Sequence, residues 1–321
     1  MGRQANCVRH RLHEHFAAAR TGARRRAVVI APAFPGEGRT TEGTVQLAHG
    51  VPVHRTGYAD DPAHPVRCSD LRTLVADATP VPPERTERLP ALIAEGRTLL
   101  CSARSDGDLD RVVAAVPRLD DVLWVGSPGL AAALARRCAT ARPSPPAFVP
   151  EARRPLVVVG SANPVTRRQL TRLAGTDGVG VVVLSTGPTP NGAAGDAAAA
   201  AALRALPDPV RTLRTPDGRT APDEVALLAA RLAAAVRPLV EEGAVDGLLL
   251  TGGETARAVL RALGVPALEL VDEPEPGVAR ALPPGAPGCP VLIKAGGFGD
   301  EDTLLRLCRL LTRPYPTGDR V

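Results

Sequence analysis

The sequence has 321 residues, of which 44% are hydrophobic and 23% charged, proportions typical of globular proteins and not of disordered ones. The net charge is only +5, and the arginines near the N-terminus are not interspersed with aromatic residues, so nucleic acid is not an expected partner. No apolar run approaches membrane-spanning length, the six cysteines form no CxxC pair, and no signal-peptide core is present, which predicts a cytoplasmic protein without a membrane partner.

The first half of the chain alternates short apolar runs with helical patterns, which is typical of α/β proteins. Residues 10–15 contain three histidines without HExxH spacing, and this favours a polar helix over a metal site. Strands are predicted over residues 27–31, 98–101 and 122–125, and a hairpin is predicted to join residues 44–47 to 51–54. The helices predicted in this half cover residues 70–78, 88–95, 106–116 and 129–138.

A proline-rich segment separates the two halves. Residues 141–155 contain five prolines, and proline lacks the backbone donor that helices and sheet ladders require. We therefore predict a first domain over residues 1–140, a linker over residues 141–155 and a second domain over residues 156–313.

The strand–helix alternation resumes after this linker. Strands are predicted over residues 156–159, 181–184, 247–250, 267–270 and 291–294. The predicted helices cover residues 165–174, 197–206, 222–240, 255–263 and 303–311. The fold class expected from both halves is α/β, with two domains whose mainly parallel sheets are flanked by helices.

The clearest chemical signal is a pair of glycines between a strand and a helix. The apolar run that ends at Thr251 is followed by Gly252 and Gly253, and a helix begins at Glu254 and Thr255. Glycines allow a ligand to approach the backbone closely, and the first amides of a helix favour an anion. A plain strand–helix turn would use the same glycines, so both interpretations stay open.

Lys294 is the only lysine among 39 lysine and arginine residues, and it stands at the end of a predicted strand, just before Gly296 and Gly297. An ammonium group can reach a phosphate as a point charge, which a planar guanidinium cannot do in the same way. The alternatives are codon bias, with the position of the one lysine left to chance, and a lysine in a buried structural ion pair. The loop with Gly252 and Gly253, the loop after Lys294, and Ser161 after the first strand of this half would together form one anion-binding crevice at the sheet edge. No Walker loop and no GxGxxG motif is present.

Several segments of the chain resemble motifs of the four-carbon acid sugar kinase family. The segment 31–41 is similar to the family signature PAFPxxGRT, and 294–299 (KAGGFG) to a nucleotide-binding motif. The other segments that carry the resemblance are 61–69, 124–130, 160–161, 251–256 and 273–277. The resemblance extends from about residue 27 to residue 311.

The resemblance implies a substrate-binding domain followed by an ATP-binding domain. It implies an enzyme that uses ATP and Mg²⁺ to phosphorylate the terminal hydroxyl of a small sugar acid, namely threonate, erythronate or 3-oxo-tetronate. Arg39 suits the carboxylate of such an acid and Thr40 a hydroxyl, although Arg39 could equally hold its own loop in place. The nucleotide-binding residues it implies are Ser161, Gly252, Gly253, Glu254, Thr255, Lys294, Gly296 and Gly297. No catalytic residue and no protein metal ligand is assigned.

The start of the family's substrate domain has no counterpart in the chain. Its Asp-Asp-x-Thr-Gly motif is absent, and its D-S-x-L-R-G segment is matched only in part by residues 6–10. We therefore expect an N-terminally truncated, incomplete first domain, with weak or no phosphorylation. Two functions stay open: an active carbohydrate kinase, and a catalytically impaired nucleotide-binding remnant of one. A homo-oligomer is one of the open oligomeric states.

Overall fold

The computed structural model of the protein describes residues 22–60, 65–139, 149–185, 193–218, 222–284 and 288–313. The chain divides into two compact units, Met1–Arg142 and Pro143–Val321. The predicted histidine-containing helix at residues 10–15 and most of the predicted linker lie outside the described residues. Within the ranges given above, no helix is both long enough and apolar enough to cross a membrane.

The first unit is built on a parallel sheet of four strands in the order β5-β6-β1-β7. β1 lies between two neighbours and is buried along its whole length, which explains its uninterrupted apolar sequence. The strands of this unit are β1 (Ala27–Ala31), β2 (Arg39–Glu42), β3 (Val45–Ala48), β4 (Val51–Pro52), β5 (Thr79–Val81), β6 (Thr98–Cys101) and β7 (Val122–Gly126). Its helices are α1 (Leu89–Ala94), α2 (Asp106–Ala114) and α3 (Pro128–Cys138).

The predicted hairpin is confirmed as part of a small antiparallel sheet in the order β2-β3-β4. His49 and Gly50 connect β3 to β4, and both have positive φ, 50° and 76°, as a tight two-residue hairpin turn requires. The second strand of the hairpin, β4, is shorter than predicted. It ends at Pro52, which has no backbone donor, and the chain continues as a 3₁₀ turn over Val53–Arg55.

The prediction of a helix over residues 70–78 is wrong. Only a 3₁₀ turn forms there, over Leu71–Thr73, capped by the Asp70 carboxylate, which accepts from Arg72 N. The backbone of this segment is bound to the hairpin instead, because Leu71 N donates to Thr44 O at 2.8 Å. Tertiary pairing therefore overrides a helical apolar pattern.

The second unit contains a seven-stranded sheet in the order β12-β13-β14-β11-β8-β10-β9. Its five strands from β14 to β9 are parallel, and β12 and β13 form an antiparallel hairpin at one edge. The strands are β8 (Pro155–Val159), β9 (Val179–Val183), β10 (Val210–Arg214), β11 (Gly247–Thr251), β12 (Glu269–Glu275), β13 (Val278–Leu282) and β14 (Val291–Lys294). The helices are α4 (Pro164–Ala174), α5 (Ala193–Ala205), α6 (Pro222–Glu241), α7 (Gly253–Ala262) and α8 (Thr303–Leu311).

Helices cover both faces of this sheet, so the second unit has three layers. α4 and α8 pack together on one face, where Leu170 and Leu304 belong to the same buried cluster. α5, α6 and α7 cover the other face, and their cluster includes Leu203, Leu232 and Val259. The predicted α/β class with mainly parallel sheets is confirmed.

The strand prediction for this unit misses β10 entirely and is inaccurate at the edge hairpin. The strand predicted over residues 267–270 begins at Glu269 and continues to Glu275, and its partner β13 was not predicted. β12 carries four acidic residues and Pro274, so it lacks the alternation of a half-buried strand. Proline is tolerated there because β12 is an edge strand.

Candidate functional site

The ends of three adjacent strands, β14, β11 and β8, lie at one edge of the second sheet. The chain leaves β8 toward α4 on one face and leaves β11 toward α7 on the opposite face. This divergence opens a crevice between β8 and β11, at the topological switch point where open α/β sheets bind ligands. All eight predicted nucleotide-binding residues belong to the strand ends, the loops and the first turn of α7 at this edge.

Close contacts bring together the three loops that follow these strands. They are residues 160–163 after β8, Gly252 after β11, and residues 295–299 after β14, which we call the third loop. A Cβ atom on Gly160 would lie 2.0 Å from Oγ1 of Thr255, and one on Gly296 would lie 2.4 Å from Oγ of Ser161. Gly252 has a φ of 89°, which a side chain rarely tolerates. These glycines therefore permit an approach that any larger residue would block.

The two helices that start at the crevice have different N-termini. α4 is capped, because Oδ1 of Asn163 accepts from Val165 N at 2.9 Å. α7 has Gly252 at its N-cap and no side-chain cap. Gly253 and Glu254 are exposed at its first turn, and the Glu254 carboxylate binds Arg257 at 2.6 Å. The amides of the first turn of α7 are thus suited to an anion.

Lys294 lies beneath the third loop and is fully buried. Its Nζ donates to the carbonyl oxygen of Ala295 at 2.9 Å, and the carbonyl oxygen of Gly296 lies 3.5 Å away. Its own carbonyl oxygen accepts from Gly252 N at 2.9 Å, which joins this loop to the start of α7. The lysine is therefore part of the glycine loop itself. Direct contact of its Nζ with a phosphate stays a prediction.

Two further residues of the site, Thr166 and Gln169 on α4, were missed by the sequence analysis. Oγ1 of Thr166 donates to the Gly296 carbonyl oxygen, and Nε2 of Gln169 donates to the carbonyl oxygens of Phe298 at 2.9 Å and Asp300 at 2.7 Å. The sequence signal for these two residues is that they interrupt the apolar pattern of the helix with polar side chains. They share the buried face of α4 with two leucines, where apolar residues are expected.

In the first unit, Arg39 and Thr40 are half-buried neighbours on β2. The Arg39 guanidinium lies over the ring of Tyr58, 5.0 Å from the centroid, and donates to the Tyr58 hydroxyl. Successive residues of a strand point to opposite faces. The side chains of Arg39 and Thr40 therefore do not converge on one ligand group from β2 alone.

No protein metal centre is found in the part of the chain that the structure describes. That part contains no group of three or more His, Cys, Asp or Glu side chains able to hold a metal ion. Burial raises the thiol pKa of Cys101 and of Cys308 to about 12, so these buried cysteines are not thiolates at neutral pH.

A mainly parallel open sheet with glycine-bearing loops at its switch point, one of which leads into an uncapped helix, is typical of a nucleotide-binding fold. Comparison with known families agrees. Residues 8–134 match a family model described as a sugar-binding N-terminal domain, and residues 156–304 match one described as a nucleotide-binding C-terminal domain. The chain belongs to the four-carbon acid sugar kinase family.

Curated relatives of this chain are kinases. It is 35% identical over 307 residues to the D-threonate kinase of Cupriavidus necator, across 88% of this chain and 73% of that protein. It is 34% identical over 295 residues to the D-threonate kinase of Bordetella bronchiseptica, across 88% and 70%. A 3-oxo-tetronate kinase of Methylobacterium radiotolerans is 29% identical over 327 residues, across 89% and 74%.

Solved structures agree on the fold. A crystal structure of a Salmonella typhimurium protein has a TM-score of 0.67 and 22% identity, over 92% of this chain and 76% of that one. A Haemophilus influenzae protein has a TM-score of 0.58 and 19% identity, over 92% and 77%. Since both identities are below 25%, these likenesses concern the fold alone.

Proposed function

We propose that this chain is an ATP-dependent kinase that phosphorylates the terminal hydroxyl of a four-carbon sugar acid of the threonate, erythronate or 3-oxo-tetronate type. The observation that carries the proposal is the convergence of Ser161, Thr255 and Gly296 on one crevice, in a chain whose relatives are named D-threonate kinase and 3-oxo-tetronate kinase. The fold supports the nucleotide half of the proposal, and the relatives support the choice of acceptor.

The crevice has the groups that a nucleoside triphosphate requires. The first amides of α7 and the backbone of Gly296 and Gly297 would hold phosphate oxygens, and Ser161 Oγ lies beside this backbone. ATP supplies the phosphoryl group. Mg²⁺ is usually held by substrate phosphates and one or two carboxylates and seldom by a protein cage, and Glu254 is an exposed carboxylate at the first turn of α7. The donor set therefore fits MgATP.

Arg39 is the residue that we propose for the carboxylate of the acid. The cation–π contact with Tyr58 and the hydrogen bond to its hydroxyl hold the guanidinium in place, and a guanidinium held in this way is well suited to bidentate binding of a carboxylate. Arg39→Gln should raise the KM for the acid by about ten- to a hundredfold, as expected for a charged hydrogen bond, and leave the KM for ATP unchanged. Arg97→Gln, at an exposed arginine of the same unit, is the control.

The full chain should be assayed for ADP formation with MgATP and each of the three acids, and binding of MgATP should be measured separately by calorimetry. Acid-dependent ADP formation confirms the kinase. Binding of MgATP without turnover of any acid refutes the kinase and supports the catalytically impaired nucleotide-binding protein. Absence of MgATP binding to the folded chain refutes both functions.

A cytoplasmic location, the absence of nucleic-acid and membrane partners, and a homo-oligomer remain predictions. Light scattering coupled to size-exclusion chromatography measures the oligomeric state directly. A monomeric mass at assay concentrations would contradict the homo-oligomer.

A further inference from the structure

We infer that Thr166 and Gln169 are positioning residues of the nucleotide site: they hold the glycine loop 295–299 by its carbonyl oxygens so that its amides face the crevice. This inference rests on the proposed function, since it assigns a role to the loop in binding the phosphates of ATP. Neither residue is expected to touch the nucleotide, because the hydroxyl of Thr166 and the Nε2 group of Gln169 already donate their hydrogens to backbone carbonyl oxygens.

The hydrogen bonds of the loop show where its carbonyl groups point. Three carbonyl oxygens of the loop, those of Ala295, Gly296 and Phe298, and that of Asp300 just after it accept from side chains beneath the loop. These bonds come from three side chains: Lys294, Thr166 and Gln169. The loop is thus held from below, by the end of β14 and by one face of α4.

The amides of the loop are left for a ligand. Phe298 N donates to Ala295 O at 3.3 Å, which makes residues 295–298 a turn with Gly296 and Gly297 at its centre. Within the described residues, the amides of these two glycines donate no hydrogen bond. In such a turn, carbonyl oxygens held on the inner side leave the central amides directed outward, as in backbone sites for anions.

The hydrogen bonds of Gln169 indicate that this residue positions the loop and does not only fill space in the core. Its Nε2 makes one hydrogen bond to the loop and one to Asp300 just after it, whereas its Oε1 is buried and accepts none from the described residues. A buried amide oxygen without a partner is unfavourable. An apolar side chain would fill this position on α4 without that cost, so the amide is explained by the bonds of its Nε2.

The inference is tested on the full chain with two variants that remove the donors, Thr166→Val and Gln169→Met. Each variant should weaken MgATP binding by about tenfold, the effect of one or two neutral hydrogen bonds and a displaced loop. Affinity for adenosine, which has no phosphate, should stay unchanged. Thr166→Ser keeps the hydroxyl and should restore wild-type affinity. Thr171→Val makes the same change on the exposed side of α4 and should have no effect.

Hydrogen exchange of peptides that cover residues 295–300 provides a readout that does not depend on ATP. Without ligand, the hydrogen-bonded amides of Ala295 and Phe298 should exchange faster in Thr166→Val and Gln169→Met than in the wild type. Thr166→Val is nearly isosteric, so it decides the question if Gln169→Met does not fold.

The outcomes separate the two proposals. If the wild-type chain does not bind MgATP, the proposed function and this inference both fall. If the wild type binds MgATP but the folded variants bind it equally well, or lose ATP and adenosine affinity in the same proportion, only the positioning role is overturned. Unchanged exchange of the loop in both variants overturns it as well.

Discussion

Replacing Lys294 with methionine removes the side-chain nitrogen from beneath the nucleotide site and keeps an unbranched side chain that is one atom shorter. The positive charge of a fully buried ammonium is screened little by solvent. If that charge acts on a phosphate in the crevice, we expect MgATP affinity to fall by about ten- to a hundredfold, which corresponds to about 1.5–3 kcal/mol for a charge-assisted contact. Adenosine carries no phosphate and should bind almost as well as before.

The cost to stability follows from the hydrogen bonds of Lys294. Its Nζ is 2.9 Å from Ala295 O and 3.5 Å from Gly296 O, so only the first contact is short enough to be strong. Without the lysine, these oxygens keep Phe298 N and Thr166 Oγ1 as donors, so neither is orphaned. Since the variant also removes a buried charge with its desolvation penalty, the free energy of unfolding should fall by less than about 3 kcal/mol.

Calorimetry with MgATP and with adenosine, together with a thermal melt of each variant, measures both effects. Arg261→Met is the matched control, because it removes an exposed positive charge from the same unit. Lys294→Arg retains the charge but places a larger planar group in a fully buried position. It should therefore lower the free energy of unfolding through overpacking, by roughly 1–3 kcal/mol, and with it the melting temperature, and it should lose MgATP affinity as well.

Equal losses of MgATP and adenosine affinity in Lys294→Met would refute the reasoning. Lys294 would then be a structural residue of the loop, and the backbone amides would form the whole anion site. A control variant with the same selective loss of MgATP would show that the effect is one of net charge.

Three further predictions test the packing of the second unit. Gly296→Ala places a Cβ 2.4 Å from Ser161 Oγ and should weaken MgATP binding by about tenfold or more in a calorimetric titration; unchanged affinity would contradict the close approach of these loops. A fragment over residues 149–313 should fold and bind MgATP, since it contains the whole seven-stranded sheet, and a folded fragment that releases no heat would contradict this. Cys308, whose pKa burial raises to about 12, should be alkylated far more slowly than exposed Cys138, as followed by mass spectrometry, and rapid labelling of Cys308 in the native protein would count against its burial.

Local patterns in the sequence were sufficient for much of the architecture. The strands at 27–31, 98–101 and 291–294 and the helix at 303–311 have the predicted bounds. Each is specified by its own residues, through a continuous apolar run or a helical repeat. The His49-Gly50 turn was likewise recognisable, because a two-residue hairpin depends on the conformations of two residues alone.

Patterns that depend on partners distant in the chain were not readable in advance. The helix predicted at 70–78 fails because Leu71 N is bound to Thr44 O in the hairpin. β10, with an arginine near each end, and the acidic edge strand β12 extend through residues of low strand propensity because neighbouring strands pair with them.

For the candidate site, the sequence by itself determined which loops carry glycine, because the backbone conformation of a loop determines locally where glycine is required. It also singled out Ser161 and Lys294 as polar residues near those loops. Only the tertiary structure decided that these loops meet at one switch point, because strand order depends on pairing between distant segments. It alone placed Thr166 and Gln169 beneath the third loop, some 130 residues away in the chain, since contacts of α4 with that loop exist only after the sheet has formed.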